Sequence, residues 1–254
     1  MPADERPPTA DDLSDLASRA AALAPDDRLA VLATGEVEVL GRMPWSSNAT
    51  FVVVCRLGAE AVPAVYKPEG GERPLWDFPA GIHRREVAAY ELSVRLGVDL
   101  VPETLSRFDA PFGVGSLQRF VPADFAQHYF TLLEDPSTHD RLRVLAAFDV
   151  LANNADRKGG HVLLDAGGAI WAIDNGLCFH AEPKLRTVVW DFAGDPLPDT
   201  LRRPLGEVAE DPGLADLLDD AERQALARRA RRLLARGRLP QPDQRRHHVP
   251  WPLV

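Results

Sequence analysis

The sequence has few of the features that mark several common classes of protein. Its two cysteines, Cys55 and Cys178, are far apart among 254 residues, so reduced, packed thiols are expected rather than a disulfide framework. No run of about 18 apolar residues could span a membrane. The first residues, MPADERPPTADD, also have neither the basic beginning nor the apolar middle of a signal peptide. We therefore expect a cytoplasmic protein without an integral membrane segment.

Lysine is scarce as well, and acidic residues outnumber basic ones by 38 to 29. The formal net charge is -9, so no global positive field would hold nucleic acid, and no nucleic-acid partner is expected. Only three of the 29 basic residues are lysines, namely Lys67, Lys158 and Lys184, which makes each of them a candidate for a specific role. The chain also has no GxSxG, Walker A or CxxC motif, which removes the commonest competing enzyme classes.

The first half of the chain is rich in predicted strands. Hydrophobic content is 45%, as expected of a packed globular core. The chain begins with apolar residues at helical spacing. Segments of alternating or β-branched residues follow, and one amphipathic helix that stops at Gly97 interrupts them. The predicted helical segments are 11–32 and 84–96, and the predicted strands are 36–40, 50–56, 61–66, 105–108 and 115–121, the last two as a hairpin.

The periodicity changes after Pro122, and the second half is mostly helical. Segments 125–133, 141–153 and 220–236 have helical spacing, and the tail from Leu239 has none. A hairpin of strands 161–165 and 169–174 interrupts these helices at an Ala-Gly-Gly turn. We find no internal repeat.

The strongest motif joins the helix that ends near Asn153 to this hairpin. It reads NNADRKGGH over residues 153–161, and the hairpin ends at Asp174-Asn175-Gly176. A hairpin between Asp156 and Asp174 would bring two carboxylates 18 positions apart to one wall, and Gly176 would allow the sharp turn. A solvated loop between helix and strand is the simpler alternative, because Asn, Asp and Gly favour turns in any case.

The motif resembles the catalytic loop and metal-binding turn of the phosphatidylinositol 3- and 4-kinase-like superfamily, which includes the HipA-type protein kinases. The resemblance implies an α+β, bilobal protein-kinase-like fold. A helical extension and an antiparallel-sheet N-lobe with one main helix would occupy residues 1–120, and a mostly helical C-lobe residues 121–254. ATP would bind between the lobes with Mg²⁺, or with Mn²⁺.

The resemblance also assigns roles in the N-lobe. Lys67 ends a strand in VYKP and would bind the α- and β-phosphates. Glu86 lies in the first turn of the next helix and would orient this lysine, with Glu91 as a rival. Without the resemblance, Lys67 is an exposed charge at a strand end, and Glu86 complements a helix dipole.

Two further segments are candidates for nucleotide contacts. Ser46, Ser47 and Asn48 lie where the fold lays a loop over the phosphates, although there is no GxGxxG pattern and a plain hairpin turn explains them almost as well. Gln118 and Phe120 lie in the segment that resembles the hinge, where backbone groups would bind adenine. A buried edge strand would use the same residues.

In the C-lobe, phosphoryl transfer needs one carboxylate beside the attacking hydroxyl and another that holds the metal. Asp156 fits the first role and Asp174 the second. Lys158 and Arg157 would stabilise the transferring group, or would be solvated loop charges. His161 stands where many members of the superfamily have an Asn that holds a second metal, which makes it a candidate metal ligand. Because Mg²⁺ prefers oxygen ligands to imidazole, the alternatives are that His161 binds a phosphate oxygen, favours Mn²⁺, marks a slow or inactive kinase, or has only a structural role.

These assignments predict a kinase that moves the γ-phosphate of ATP to a hydroxyl acceptor on a lipid head group, a protein or a small molecule. The first alternative is a pseudokinase, a nucleotide-binding interaction module that lost its chemistry with the second metal ligand. The second is a metal-dependent hydrolase that uses His161, Asp174 and Asp156.

Overall fold

The computed structural model describes residues 10–44, 46, 48–245 and 247–254. It contains helices and strands with short 3₁₀ turns between them. In chain order the elements are α1 (Ala10–Ala21), α2 (Pro25–Thr34), β1 (Glu36–Arg42), β2 (Phe51–Leu57), β3 (Glu60–Pro68), α3 (Ile82–Leu96), β4 (Thr104–Arg107), β5 (Gly115–Arg119), α4 (Tyr129–Leu132), α5 (His139–Ala152), β6 (Val162–Leu164), β7 (Ile170–Ala172), α6 (Arg202–Glu210) and α7 (Asp220–Arg236).

The chain forms two compact units. Unit 1 contains the described residues up to His83 together with Glu103–Pro122, and unit 2 contains Arg84–Pro102 and Ala123–Val254. The boundary predicted near residue 120 lies close to the last of three crossings between the units. The other two crossings lie at 83/84 and 102/103, so most of α3 belongs to unit 2. The buried side chains of this helix pack in the core of that unit.

A five-stranded antiparallel sheet forms the centre of unit 1. Its strand order is β1-β2-β3-β5-β4. A tight turn joins β2 to β3, and Gly58 in that turn has φ of 60°, which glycine adopts without steric cost. The predicted pairing of β4 with β5 is confirmed. β5 lies between β3 and β4, so it is an internal strand and not an edge strand.

The core of unit 1 lies between this sheet and the first two helices. Val53, Cys55 and Ala64 of the sheet pack in one cluster with Ala20 of α1 and Leu32 of α2. Burial raises the pKa of the Cys55 thiol to about 11, because a thiolate is poorly solvated in an apolar environment. Cys55 and Cys178 are both free and buried, as predicted.

Unit 2 is organised around α5. Leu145 and Phe148 of α5 are buried in one large cluster with Leu92 of α3 and Leu226 of α7. β6 and β7 form the predicted two-stranded hairpin. Among the described residues, no helix is long and apolar enough to cross a membrane.

Helix α7 shows why a well-capped helix is predictable from sequence. The Asp219 side chain accepts a hydrogen bond from the Glu222 N–H (2.8 Å), and Glu222 accepts one from the Asp219 N–H (3.1 Å). This capping box starts the helix, and Gly237, at φ of 60°, ends it. The predicted bounds, 220–236, are confirmed.

The helix predicted over residues 125–133 is wrong at its beginning. Only Tyr129–Leu132 is helical. The side chain of Asp124 accepts a hydrogen bond from the Ala126 N–H (2.9 Å), and its carbonyl accepts one from the Gln127 N–H (2.9 Å). An aspartate that bonds its own backbone in this way favours a turn over a helix.

A buried charge network in unit 1 holds the chain between α3 and β4. Oε1 of Glu103 accepts from Nε of Arg28 (2.7 Å), and its Oε2 accepts from Nε of Arg119 (2.5 Å). All three side chains are nearly excluded from solvent. Burial opposes ionisation of Glu103, but the two guanidinium groups outweigh it, and the pKa of Glu103 lies below its usual value.

Glu103→Gln is therefore expected to lower the free energy of unfolding by about 3 kcal/mol or more, because it leaves two buried guanidinium groups without their anion. Glu38→Gln is the control, since Glu38 pairs with the exposed Arg56 on the same sheet (3.1 Å) and an exposed pair contributes less than about 1 kcal/mol. Urea denaturation followed by circular dichroism measures both. Equal unfolding midpoints for the two variants would contradict the account of this network.

Candidate active site

The loop that follows α5 begins with a left-handed asparagine. Asn153 has φ of 54° and ψ of 48°, a conformation that asparagine tolerates better than most residues. Its side-chain amide donates to the carbonyls of His180 (2.9 Å) and Glu182 (2.7 Å) and accepts from the N–H of Lys184 (2.9 Å). Asn153 thus ends the helix and holds the segment 180–184 against the loop.

Asn154 orients the candidate base. Its side-chain oxygen accepts from the Asp156 N–H (2.9 Å), and its amide donates to Oδ1 of Asp149 in α5 (3.2 Å). The loop is also paired with the later segment, because the N–H of Arg157 donates to the carbonyl of Arg186 (3.1 Å). Asp156 therefore lies on a short stretch of backbone that is bonded on both sides.

Arg157 is fully buried and connects three parts of unit 2. Its Nε lies 3.1 Å from Oδ1 of Asp149, Nη1 donates to the Ile173 carbonyl (2.6 Å), and Nη2 donates to Oδ1 of Asn175 (2.5 Å). Ile173 and Asn175 flank Asp174, so one guanidinium fixes the residues on both sides of the candidate metal ligand. The alternative role of Arg157, contact with a transferring phosphoryl group, does not fit a buried and bonded side chain.

Asp156 is partly buried beside a lysine. Its Oδ2 lies 3.2 Å from Nζ of Lys158. Burial raises the pKa of Asp156, and the negative charge of Asp174 acts in the same direction. Lys158 and Arg186 oppose these effects, but the pKa remains above its usual value. Asp156 is thus a stronger base than a solvated aspartate, and the negative charge of Asp174 contributes to this basicity.

Asp174 is exposed and has an uncommon backbone conformation. Its φ is 56°, its side chain is 52% exposed, and Oδ2 lies 3.4 Å from Nε2 of His161. The left-handed residue of this turn is therefore Asp174 itself, whereas Gly176, which was expected to allow the sharp turn, does not have a positive φ. Non-glycine residues in this conformation are often found at functional sites.

Glu86 of α3 is hydrogen-bonded to the turn that contains Asp174. It is 1% exposed, and its Oε2 accepts a hydrogen bond from the Asn175 N–H (2.9 Å). Glu91, the rival partner for Lys67, is exposed. The pairing of Glu86 with Lys67 stays a prediction, and the contact that is present gives Glu86 a second role in positioning Asp174.

The other candidate residues lie in unit 1. Lys67 is half-buried on β3, opposite Ser116 of β5. Oγ of Ser46 lies 2.7 Å from Oγ1 of Thr50, and Oδ1 of Asn48 accepts from the Arg73 N–H (3.0 Å). Ser47 lies outside the described residues. These contacts stabilise the loop between β1 and β2, and its role in phosphate binding stays a prediction.

The predicted hinge segment contains the last residues of β5 and the residues that come directly after it. The Gln118 amide donates to Oγ1 of Thr104 on β4 (2.9 Å), so this side chain is used within the sheet. The N–H of Phe120 donates to the carbonyl of Pro63 (2.9 Å), and the ring is half-buried. Adenine recognition by this segment stays a prediction.

Two functional neighbours escaped the sequence analysis. Asp149 is a single carboxylate within the apolar run AAFDVLA of α5, and the motif gives Asn175 no role beyond its place in the turn. Asp149 is 0% exposed, and a buried carboxylate needs a charged or hydrogen-bonding partner. An aspartate on the apolar face of a predicted helix was the signal that could have identified it.

Across the described residues, no group of three or more His, Cys, Asp or Glu side chains could hold a metal ion. The hydrolase that would use His161, Asp174 and Asp156 together therefore has no support from the geometry.

Comparison of sequences identifies a relative of this chain. The chain is 43% identical over 267 residues to Protein Rv2133c of Mycobacterium tuberculosis, and the match covers 89% of this chain and 95% of that protein. No protein-family model matches the chain.

Comparison of structures identifies the fold. A structure of hydra Fam20 with sugar aligns with a TM-score of 0.52 at 14% identity, covering 82% of this chain and 86% of that chain. The crystal structure of CtkA, a proinflammatory kinase of Helicobacter pylori, aligns with a TM-score of 0.46 at 13% identity, covering 82% and 94%. The alignment with the Fam20 structure confirms the predicted bilobal, kinase-like α+β fold.

Arg157→Met is expected to lower the free energy of unfolding by about 3–5 kcal/mol, because it leaves the buried carboxylate of Asp149 without its cation. The double variant Asp149→Leu/Arg157→Met should recover part of this loss, since neither buried charge remains. Arg203→Met is the control, because Arg203 is exposed and pairs with the exposed Glu207 on the same helix. Urea denaturation measures all three, and a wild-type midpoint for Arg157→Met would contradict the role of this ion pair.

Proposed function

The chain belongs to the same family as Protein Rv2133c of Mycobacterium tuberculosis, and from its kinase-like fold and the geometry of its loop we propose that it is an ATP-dependent phosphotransferase. One observation carries the proposal. Asp156 and Asp174, on a loop and a turn tied together by Arg157, are near enough for the charge of Asp174 to raise the pKa of Asp156. Paired carboxylates in different environments are what this chemistry requires.

The closer assignment is to the phosphatidylinositol 3- and 4-kinase-like superfamily, including its HipA-type members. It is supported by NNADRKGGH and by the Asp174-Asn175-Gly176 turn. Under this assignment the acceptor is a hydroxyl group of a lipid head group, a protein or a small molecule.

Asp156 would act on the acceptor. Its carboxylate would orient the attacking hydroxyl and accept its proton, and the raised pKa brings it closer to the strength of a useful base at neutral pH. Lys158, at 3.2 Å from Asp156, would place positive charge beside the transferring phosphoryl group.

Asp174 fits a role as ligand of a hard divalent cation. Its carboxylate is exposed, carries two oxygens, and stands on a turn fixed by Arg157 and Glu86. Oxygen donors of this kind suit Mg²⁺, and also Mn²⁺. The cation would neutralise charge on the β- and γ-phosphates of ATP.

The remaining assignments rest on the resemblance. Lys67 would bind the α- and β-phosphates, and the backbone from Gln118 to Phe120 would bind adenine. The hydroxyls of Ser46 and Ser47 would bind the phosphates, and Asn48 would support the turn of that loop.

A pseudokinase is the second candidate, and the contact of His161 with Asp174 favours it. Nε2 of His161 lies 3.4 Å from the carboxylate that would hold the metal, where an imidazole is a poor Mg²⁺ ligand. In that case the chain would bind nucleotide and transfer nothing.

Asp174→Asn and Asp156→Ala test the two carboxylates. Asparagine tolerates the left-handed backbone at position 174, so Asp174→Asn removes charge with little strain and should abolish the Mg²⁺-dependent part of ATP binding. Asp156→Ala should keep ATP binding and lower turnover by roughly 10²–10⁴. Calorimetry with Mg²⁺ and with EDTA measures the binding, with the exposed Glu134→Ala as control. Unchanged metal dependence in Asp174→Asn would sink the assignment.

Lys158→Met tests the pH dependence of turnover. Lys158 lowers the pKa of Asp156, so its removal raises that pKa further. A base must be deprotonated, so the acid limb of the pH profile of ADP formation should move to higher pH. Lys158→Arg keeps the charge and should leave the limb in place. If the acid limb of the pH profile lies at the same pH in Lys158→Met as in the wild type, Asp156 is not the titrating base.

A further inference from the structure

A pocket of ≈ 260 Å³ lies in unit 2, lined by α7, by the end of α5 and by the segment from Ala181 to Leu185. Four arginines of α7 line it, namely Arg228, Arg229, Arg232 and Arg236, and we call it the arginine pocket. None of the candidate catalytic or metal-binding residues of unit 2 is part of its lining.

The arginine pocket has a high density of positive charge. Arg228, Arg232 and Arg236 are exposed and follow one another at intervals of four residues, so they share one face of α7 and repel each other. Within the described ranges, no hydrogen bond or ion pair is found for these three side chains, and no Asp or Glu lines the pocket. This concentration of positive charge stands in a chain of net charge -9.

Arg229 adds a donor that the protein leaves unused. Its Nε donates to the carbonyl of Leu151 (2.6 Å), whereas its Nη2 is buried and has no hydrogen-bond partner among the described residues. Burial, together with the positive charges of Arg228 and Arg232, lowers the pKa of Arg229 to about 10. A buried donor without a partner is uncommon in folded proteins, and it calls for an acceptor.

The rest of the pocket is mostly apolar. Val150, Leu185 and Leu233 contribute to its lining. A small inorganic anion would satisfy the arginines but leave this apolar surface uncovered. The ligand that suits both parts has a doubly charged head and an apolar body.

We propose that the arginine pocket binds a phosphate monoester that carries an apolar body. A phosphate monoester bears about -1.5 to -2 charges near neutral pH and offers three terminal oxygens, which guanidinium groups bind with paired hydrogen bonds. The apolar body would lie against Val150, Leu185 and Leu233. This site is separate from the proposed phosphotransferase chemistry and does not depend on it.

Asn153 connects the arginine pocket to the candidate active site. It lines the pocket, and its side chain bonds the backbone of His180, Glu182 and Lys184. It also immediately precedes Asn154, which orients Asp156. A ligand packed against the segment from Ala181 to Leu185 would therefore restrain the start of the candidate catalytic loop.

Calorimetric titration of phenyl phosphate into the full chain tests the proposal. Inorganic phosphate and benzoate are the comparison ligands, since the first lacks the apolar body and the second lacks the phosphate. We expect saturable binding of phenyl phosphate that is tighter than that of either. In hydrogen exchange, phenyl phosphate should slow exchange of the backbone amides of residues 180–186.

The triple variant Arg228→Ala/Arg232→Ala/Arg236→Ala locates the site. It should weaken phenyl phosphate binding by roughly tenfold or more, the factor expected when charge-assisted hydrogen bonds are lost. The control Arg19→Ala/Arg56→Ala/Arg203→Ala removes three exposed arginines elsewhere and changes the net charge equally, so its affinity should stay within about twofold of wild type. The single variant Arg232→Ala gives an intermediate loss and is less perturbing to the fold.

Retained affinity in both Arg232→Ala and the triple variant overturns the proposal. An equal loss in the control variant also overturns it, because binding would then follow net charge alone. Absence of saturable binding to the wild type has the same meaning. Binding of inorganic phosphate or benzoate as tightly as phenyl phosphate overturns the assigned ligand class.

Discussion

The buried ion pair between Arg157 and Asp149 is the interaction on which the candidate site depends. Two charges without solvent are stable only when their geometry is good and their other hydrogen-bonding positions are filled. Asp149 meets this condition through Asn154 and Thr187, and Arg157 meets it through Ile173 and Asn175. Because a guanidinium donates in several fixed directions, one side chain sets the positions of the loop and the turn together.

The consequence is that two carboxylates are held near each other in different environments. Asp156 is partly buried beside Lys158, and Asp174 is exposed beside His161. Burial favours the protonated form of a carboxyl group, whereas exposure favours the charged form. The same arrangement thus supports a base at Asp156 and a cation ligand at Asp174, and Glu86 reinforces it from α3.

The sequence predicts this protein best where local rules decide the structure. α7 carries its own capping box and terminal glycine, and β4 and β5 are separated by turn residues, so their bounds or pairing follow from neighbouring residues. The short α4 departs from periodicity because Asp124 bonds its own backbone. Local patterns contain no information on which distant residue lies beside another, so the bond of Glu86 to Asn175 was not predicted.

In the candidate site, too, the sequence predicts what a local motif shows and not what depends on distant contacts. Asp156 and Asp174 stood out by motif, whereas Asp149 did not, because its role depends on an arginine eight positions later that is buried only in the folded chain. The motif predicts that Gly176 allows the sharp turn, yet the residue of this turn with a left-handed backbone is Asp174. Conformation at a functional residue is set by the contacts around it, which here are those of Arg157 and Glu86.

Mass spectrometry after incubation with ATP labelled in its γ-phosphate tests the central claim most directly. The account predicts that, with Mg²⁺ or Mn²⁺, ADP forms and the label appears in the protein, in an added hydroxyl compound or in inorganic phosphate. ATP that binds and yet remains intact through a long incubation with either metal and a panel of hydroxyl acceptors would contradict it, and would identify the chain as a nucleotide-binding module.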